Sequence, residues 1–105
     1  MNIMIIIESR NAKEMANLYA KLFNLKIEKV DFKSIDIYNC NDDCGGFTFI
    51  QSDKDTTGIG FTIRVSDKDA IRKRAIDLKL ERLHDNSDTS FFEIKDPQNN
   101  TIGIV

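Results

Sequence analysis

The sequence has no tryptophan, one proline, one histidine and two cysteines among its 105 residues. Cys40, Cys44 and His84 cannot complete a zinc site of nitrogen and sulfur ligands without carboxylates. The charges nearly cancel, since 15 Lys and Arg face 17 Asp and Glu, and no basic excess exists for nucleic acid or anionic lipid. The apolar run 3–7 is too short to cross a membrane. We therefore expect no nucleic-acid or membrane partner, and a cytoplasmic protein with reduced thiols.

The composition, 41% hydrophobic and 30% charged, is typical of a globular domain, and the length predicts a single domain over 1–105. Its first half predicts a strand, a helix and three more strands. Asn11 followed by Glu14 resembles a capping box. Apolar residues then recur at helical spacing, namely Met15, Leu18, Tyr19 and Leu22. The β-like runs lie at 2–8, 26–32, 34–39 and 46–51.

The second half repeats this order of elements. Residues 59–65 alternate between apolar and polar positions, as a half-buried strand does. Ser66 with Asp69 predicts a second capping box, and Ile71 starts an apolar helical stripe. Three further β-like runs lie at 80–84, 90–95 and 101–105. The pattern predicts a duplicated βαβββ module, with modules at 1–53 and 57–105.

Each module alone would expose one face of its sheet. We therefore expect the two modules to join edge to edge, with both helices outside, as an α+β fold. The curved mixed sheet would then enclose a concave cleft, where a ligand would bind.

Strand alternation assigns side chains to that cleft. In the internal alignment residues 35–37 match 92–94, so Ile35, Ile37, Phe92 and Ile94 are expected to pack under the helices. The opposite parity assigns these residues to the cleft: Thr62, Arg64, Asp36, Tyr38, Glu93 and Lys95. Arg64 is the strongest candidate, since a guanidinium can bind a carboxylate or phosphate with two hydrogen bonds. The alternative is an ion pair with Glu93 or a solvated position at the rim.

Other polar residues give weaker evidence for a catalytic role. Glu93 would act as a general base only if burial raised its pKa. His84 is expected in a surface turn. No nucleophile, base and orienting acid can be assembled at a confident spacing, so we predict no catalytic set.

Two segments match motifs of one superfamily. The ending FFEIKDPQNNTIGIV gives a strand, a turn and a strand, with Asp96, Pro97 and Asn100 at turn positions and Asn99 in place of a glycine. The segment MANLYAKLFNL matches the first helix. With the repeat, the whole chain resembles the vicinal oxygen chelate superfamily, which includes glyoxalase I, extradiol dioxygenases and bleomycin-resistance proteins.

Enzymes of that superfamily hold a divalent cation with His or Glu from the first, fourth, fifth and eighth strands. The resemblance places those positions on residues without a metal-binding side chain, namely Met4, Thr48, Gly60 and Gly103. Neighbouring registers add only the amide of Gln51, which cannot hold a catalytic divalent ion alone. We predict no metal and no cofactor, and we expect Gly60 and Gly103 to leave room for an organic ligand.

The resemblance without the ligands implies a metal-independent small-molecule-binding protein that forms a homodimer. The ligand would contact Arg64, Tyr38, Thr62, Glu93 and the two glycines. Two alternatives stay open. One is an enzyme of the superfamily, either a glyoxalase-like lyase or isomerase or a dioxygenase. The other is a protein-interaction subunit whose cleft is closed by side chains.

Overall fold

The structure is a computed structural model that describes residues 2–86 and 91–105. The chain divides into two units, Met1–Thr56 and Thr57–Val105, called unit 1 and unit 2 below. Each has the predicted order of strand, helix and three strands, which confirms the α+β class. Residue 90, in the predicted run 90–95, lies outside the described residues. The expectation that both modules surround one cleft stays a prediction.

Unit 1 is a mixed four-stranded sheet with one helix. The elements are β1 (Ile3–Ser9), α1 (Ala12–Phe23), β2 (Lys26–Phe32), β3 (Ile35–Asp42) and β4 (Gly45–Gln51). The strand order is β1-β4-β3-β2, and β1 runs parallel to β4 while the other pairs are antiparallel. A parallel pair needs a long crossover between its strands, and α1 with β2 and β3 supplies it.

The core of unit 1 lies between α1 and one face of this sheet. The Tyr19 ring is fully buried and meets Phe47 and Phe49 edge to face, with centroid distances of 4.7 and 4.9 Å. Ile7, also fully buried, lies beside Phe49 in the parallel register. Aromatic pairs in this geometry add stabilisation beyond the area that they bury.

The start of α1 differs from the predicted capping box. Asn11 is the N-cap residue, but its side chain makes no capping hydrogen bond. The Gln51 side chain takes this role from β4, since its Oε1 accepts from Ala12 N at 3.1 Å and its Nε2 donates to Arg10 O at 2.7 Å. A residue distant in sequence therefore satisfies an N–H that would otherwise lack a partner.

Unit 2 repeats the same topology. Its elements are β5 (Gly60–Ile63), α2 (Lys68–Asp77), β6 (Glu81–Leu83), β7 (Phe92–Lys95) and β8 (Thr101–Ile104), with strand order β5-β8-β7-β6. Four fully buried side chains form the centre of its core, namely Phe92, Ile94, Ile102 and Ile104. From α2, the Arg72 guanidinium lies 4.7 Å from the Phe92 ring centroid. The N-cap of α2 is Asp67, whose carboxylate accepts from Ala70 N, and not the predicted Ser66.

The DPQNN turn between β7 and β8 is closed by its own side chains. Asp96 Oδ1 accepts from the backbone N–H groups of Gln98 and Asn100 at 2.8 and 2.9 Å. The fully buried Asn100 side chain also accepts from Ile59 N at 3.1 Å, which ties the turn to the chain before β5. Asn99 has a φ of 65°, so it adopts the left-handed conformation expected where it replaces a glycine.

Both sheets have the same register. Tyr38 lies opposite Phe49 in unit 1, and Phe92 lies opposite Ile104 in unit 2. Tyr38 therefore corresponds to Phe92. The predicted match of 35–37 with 92–94 is wrong by three residues. An odd shift moves every side chain of a strand to the other face.

Candidate functional site

Each sheet has one face covered by its helix and one that is not, called the helix-free face. In unit 2 the helix-free face carries residues of three strands. Thr62 lies beside Gly103, and Gly103 lies opposite Glu93. Gly60 lies on the same side as Thr62, because alternate residues of a strand share a face. The register thus brings these four predicted residues together on one surface, and their role in ligand binding stays a prediction.

Arg64 continues this surface just beyond β5. Val105 N donates to Ile63 O and Val65 N donates to Val105 O, both at 3.0 Å, so the ladder extends past Arg64. The Arg64 side chain is exposed and falls on the side of Thr62. No ion pair or hydrogen bond joins it to another described residue of unit 2. The guanidinium is therefore available to an anionic group.

Glu93 lies near His84, and no ion pair joins it to Arg64 among the described residues of unit 2. Its Oε1 lies 3.7 Å from His84 Nε2, at the end of β6. The His84 ring also lies 6.4 Å from the ring of Phe91, which is partly exposed. The edge of this face therefore combines a carboxylate, an imidazole and an aromatic ring.

The two glycines differ in the space beside them. A Cβ at Gly103 would lie 3.0 Å from Thr62 Oγ1, so the Thr62 side chain already fills part of the expected room. A Cβ at Gly60 would have only Thr101 O within 4 Å, at 3.9 Å. The expectation of free space therefore fits Gly60 and needs correction at Gly103.

In unit 1 the predicted assignment of β3 to the cleft is wrong. Tyr38 lies opposite Phe49 on the face that α1 covers, and Asp36 shares that face. Asp36 lies 3.7 Å from Lys29 Nζ, which is also 3.6 Å from Asp31. The carboxylates of Asp31 and then Asp36, with Tyr38 as a smaller cause, raise the pKa of Lys29. Tyr38 and Asp36 thus lie at a charged edge on the α1 side and not on the helix-free face.

The residues of β3 that reach the helix-free face are those expected under the helix. Ile37 lies opposite Ile50, and Asn39 lies opposite Thr48. Thr48 Oγ1 donates to Asn39 Oδ1 at 2.8 Å. The pairing of Asp42 with Gly45 at the β3–β4 turn sets this register.

The positions that the superfamily uses for a metal do not fit one in this chain. Met4 and Thr48 in unit 1, and Gly60 and Gly103 in unit 2, all lie on helix-free faces, as the resemblance requires. None offers an imidazole or a carboxylate, which divalent ions need. Residues 2–86 and 91–105 contain no group of three or more His, Cys, Asp or Glu side chains placed to hold a metal ion. The Gln51 amide is engaged at the start of α1.

Both cysteines are free, and they lie in different environments. Cys40 is fully buried on the α1 side, where its Sγ donates to Ala16 O at 3.2 Å, and burial raises the pKa of this thiol to about 11. Cys44 is exposed in the turn before β4. Since only the thiolate is a good nucleophile or metal ligand, Cys40 is a structural residue.

One pocket of unit 2 lies on the α2 side, away from the predicted residues. Its lining includes Asp67, Asp69, Arg72 and Asp85. Arg72 Nε donates to Asp85 Oδ1 at 2.8 Å, and Asp85 also pairs with Arg82. Arg72 thus pairs with two carboxylates of this pocket, Asp69 and Asp85, whereas the predicted residues of unit 2 lie on its helix-free face.

No protein-family model and no curated protein matches the sequence. Solved structures do match the fold. A glyoxalase/bleomycin resistance protein from Streptomyces sp. CB03234 superposes with a TM-score of 0.75 at 12% identity, covering 99% of this chain and 98% of that one. The oxidase ChaP-H2 gives 0.74 at 15% identity, covering 99% and 91%. The fosfomycin resistance protein FosX from Listeria monocytogenes gives 0.67 at 14% identity, covering 99% and 87%.

The chain therefore has the fold of the vicinal oxygen chelate superfamily, and the resemblance is confirmed at that level. Identities this low establish the fold and not the activity. No helix among the described residues is long and apolar enough to cross a membrane.

Proposed function

We propose that the protein binds a small molecule without a metal, on the helix-free face of unit 2. The observation that carries the proposal is the nature of the superfamily's metal positions. Gly60 and Gly103 lie on that face, yet neither can ligate a metal. The same face keeps a cation at Arg64 and a carboxylate at Glu93. Arg64 and Glu93 can thus bind a ligand on a face where the superfamily's metal positions carry no ligating side chain.

Arg64 is the main polar anchor in this proposal. Its planar guanidinium can donate two parallel hydrogen bonds to a carboxylate, sulfonate or phosphate. Gly60 leaves the neighbouring surface uncovered, so an apolar group of the same ligand can lie flat against the strand. The ligand class is therefore a small amphipathic molecule with one acidic or carbonyl group.

The neighbours in fold support a small molecule as the partner. One is named a bleomycin resistance protein and another a fosfomycin resistance protein, and both names refer to small organic compounds. No described residue of this chain specifically favours the oxidase chemistry that a third neighbour's name states. Binding is thus the function that the site supports best.

The test combines metal analysis with binding of an anionic probe. Protein purified without chelators should contain no stoichiometric zinc, nickel, manganese or iron. Anilinonaphthalene sulfonate, an apolar body with one acidic group, should bind and raise the melting temperature, because a ligand of the folded state stabilises it. A thermal-shift screen of antibiotics and metabolites then searches for the natural ligand class.

Arg64 variants make the test specific. Arg64→Ala should weaken sulfonate binding by about tenfold, the effect of losing about 1.4 kcal/mol. Arg64→Lys should recover part of the loss, since it keeps the charge but not the paired hydrogen bonds. Lys54→Ala, which removes an exposed cation of unit 1, is the control. A stoichiometric metal, or equal affinities in Arg64→Ala and Lys54→Ala, would refute the proposal.

We also propose a homodimer. In unit 1 the strand order leaves β1 and β2 at the edges of the sheet, and unpaired edges favour association. Light scattering at micromolar concentration should give about twice the 12.0 kDa chain mass. A single species of chain mass would contradict this proposal.

A further inference from the structure

We infer that two copies of the chain pair through the open edge of β2, antiparallel about a two-fold axis at Val30, with Lys29 of each copy opposite Asp31 of the other. The inference rests on the proposed homodimer and names its interface. It does not involve the surface around Arg64, so it stands or falls separately from the proposed ligand.

The first step is that β2 is the open edge of the unit 1 sheet. The strand order places β1 and β2 at the two edges. The edge of β1 is partly occupied, because Glu8 N donates to Thr56 Oγ1 and Thr56 N donates to Glu8 O, both at 2.9 Å. In β2 every residue except the half-buried Val30 is exposed. A long exposed edge strand is a template for pairing with another strand.

The second step is the direction of the backbone groups of β2. Lys33 and Ser34 form a two-residue turn with left-handed φ angles of 49° and 67°. Such a turn joins a hydrogen-bonded pair, here Phe32 with Ile35. Because hydrogen-bonded pairs alternate along an antiparallel ladder, the alternate residues of β2 direct their N–H and C=O groups to the open edge. These residues are Ile27, Lys29 and Asp31.

The third step is the register that symmetry allows. A two-fold axis between antiparallel neighbours is perpendicular to the sheet, so a residue on the axis lies opposite its own copy. At three of the central positions of β2 this would place like charges opposite each other, which is destabilising. These residues are Glu28, Lys29 and Asp31. An axis at Ile27 would need the N–H of Leu25, which already donates to Ala20 O at 2.9 Å, so Val30 is the remaining centre.

This register makes the charges of β2 self-complementary. Lys29 and Asp31 lie on the α1 side with side chains 51% and 73% exposed, and about four backbone hydrogen bonds would join these positions across the axis. Opposite charges in facing positions stabilise a sheet. On the helix-free side, the exposed Phe32 would lie diagonally from Val30 of the other copy. Charges usually protect an edge strand from pairing, but their order here favours one partner, a second copy.

Disulfide trapping tests the register. In a Cys44→Ala background, which removes the exposed thiol, Val30→Cys should form a covalent dimer of about twice 12.0 kDa in a glutathione redox buffer. Facing residues of a non-hydrogen-bonded pair have Cα atoms about 4.5 Å apart, within the range of a disulfide. Glu28→Cys is the matched control on the same strand and face. Its two copies would lie about 13 Å apart along the strands and should cross-link at least about fivefold more slowly.

Charge exchange between two variants tests the facing pairs without a new cysteine. Lys29→Glu and Asp31→Lys should each weaken self-association by about tenfold in analytical ultracentrifugation, because like charges then face each other. A mixture of the two variants should associate as tightly as the parent, since opposite charges face each other again. Each variant carries like charges at 29 and 31 within its own chain, so only pairing between chains explains the recovery. Lys26→Glu, on the same strand, is the control and should change the association by less than about twofold.

The outcomes separate this inference from the proposed homodimer. A single species of chain mass in the parent at micromolar concentration would overturn both. A parent dimer in which Val30→Cys and Glu28→Cys cross-link at equal rates would overturn the register and leave the homodimer in place. A mixture of the charge variants that associates no better than each variant alone would do the same. Circular dichroism checks each fold, and the charge variants keep the test decisive if Val30→Cys does not fold.

Discussion

The carboxylate of Asp96 and the side-chain amide of Asn100 are hydrogen-bonded to each other at 3.0 Å inside the turn between β7 and β8. Both residues are buried, and the Asp96 carboxylate also accepts two backbone N–H groups of the same turn. Asn100 further accepts from Ile59 N. The turn motif on which the resemblance in sequence depends therefore holds β8 to the chain before β5.

Replacing Asp96 should measure how much these hydrogen bonds stabilise the fold. Asp96→Ala removes three hydrogen bonds to a charged group, each worth about 1.5–3 kcal/mol. Because such terms overlap, we expect a loss of about 3 kcal/mol in the free energy of unfolding, measured with urea. Asp43→Ala, in an exposed turn of unit 1, is the control and should change it by less than about 0.5 kcal/mol. Equal effects would show that the Asp96 bonds do not stabilise the fold.

Asn99 tests the backbone conformation of the same turn. Its φ of 65° is one that glycine adopts freely and a β-branched residue adopts with strain. Asn99→Gly should leave the melting temperature unchanged or slightly higher. Asn99→Val should lower the free energy of unfolding by about 1–2 kcal/mol. A valine variant as stable as the glycine variant would contradict the left-handed conformation.

Two adjacent isoleucines of β1 test the assignment of faces. Ile7 is fully buried against the α1 side, whereas Ile6 is 61% exposed on the helix-free face. Ile7→Ala should cost about 2–5 kcal/mol, as large-to-small changes in a core do. Ile6→Ala should cost less than about 1 kcal/mol. The comparison holds residue type and strand constant, so similar losses in the two variants would refute the faces.

The sequence predicts unit 2 well for a physical reason. Its strands alternate without ambiguity, so Ile94 and Ile102 can lie only on the buried face, and Thr62 and Glu93 only on the other. The helix-free face of unit 2 therefore follows from the pattern alone.

The pattern of β3 is ambiguous, and the sequence reading fails there. Apolar residues occupy both parities, with Ile35 and Ile37 on one and Tyr38 and Cys40 on the other. Tertiary contacts decide between them, since the Cys40 thiol donates to Ala16 O in α1. Once Cys40 lies under the helix, Tyr38 must face the same way. The same register places Asn39 opposite Thr48 on the helix-free face.

The start of α1 gives a further test of a contact that sequence spacing does not reveal. Gln51→Ala removes the acceptor of Ala12 N and the donor to Arg10 O, and should lower the free energy of unfolding by about 1 kcal/mol, as the loss of a cap does. Asn11→Ala should have a smaller effect, because its side chain makes no capping bond. Urea unfolding of both variants gives the comparison. A larger loss of unfolding free energy in Asn11→Ala would favour the capping box that the sequence predicts.

The buried thiol of Cys40 should make stability depend on pH in the alkaline range. Burial raises its pKa to about 11, from an ordinary value of 9.0. Between these values the unfolded chain loses the thiol proton while the folded chain keeps it, so the free energy of unfolding falls as pH rises. The slope contributed by Cys40 is up to about 1.4 kcal/mol per pH unit, and there is no such loss below about pH 9.

Urea unfolding under reducing conditions should therefore show a shallower decline in Cys40→Ala than in the parent, although the variant is less stable near neutral pH. Cys44→Ala, at the exposed thiol, should keep the parent's decline. Identical slopes in the parent and Cys40→Ala would mean that the Cys40 thiol ionises as readily in the folded chain as in the unfolded one.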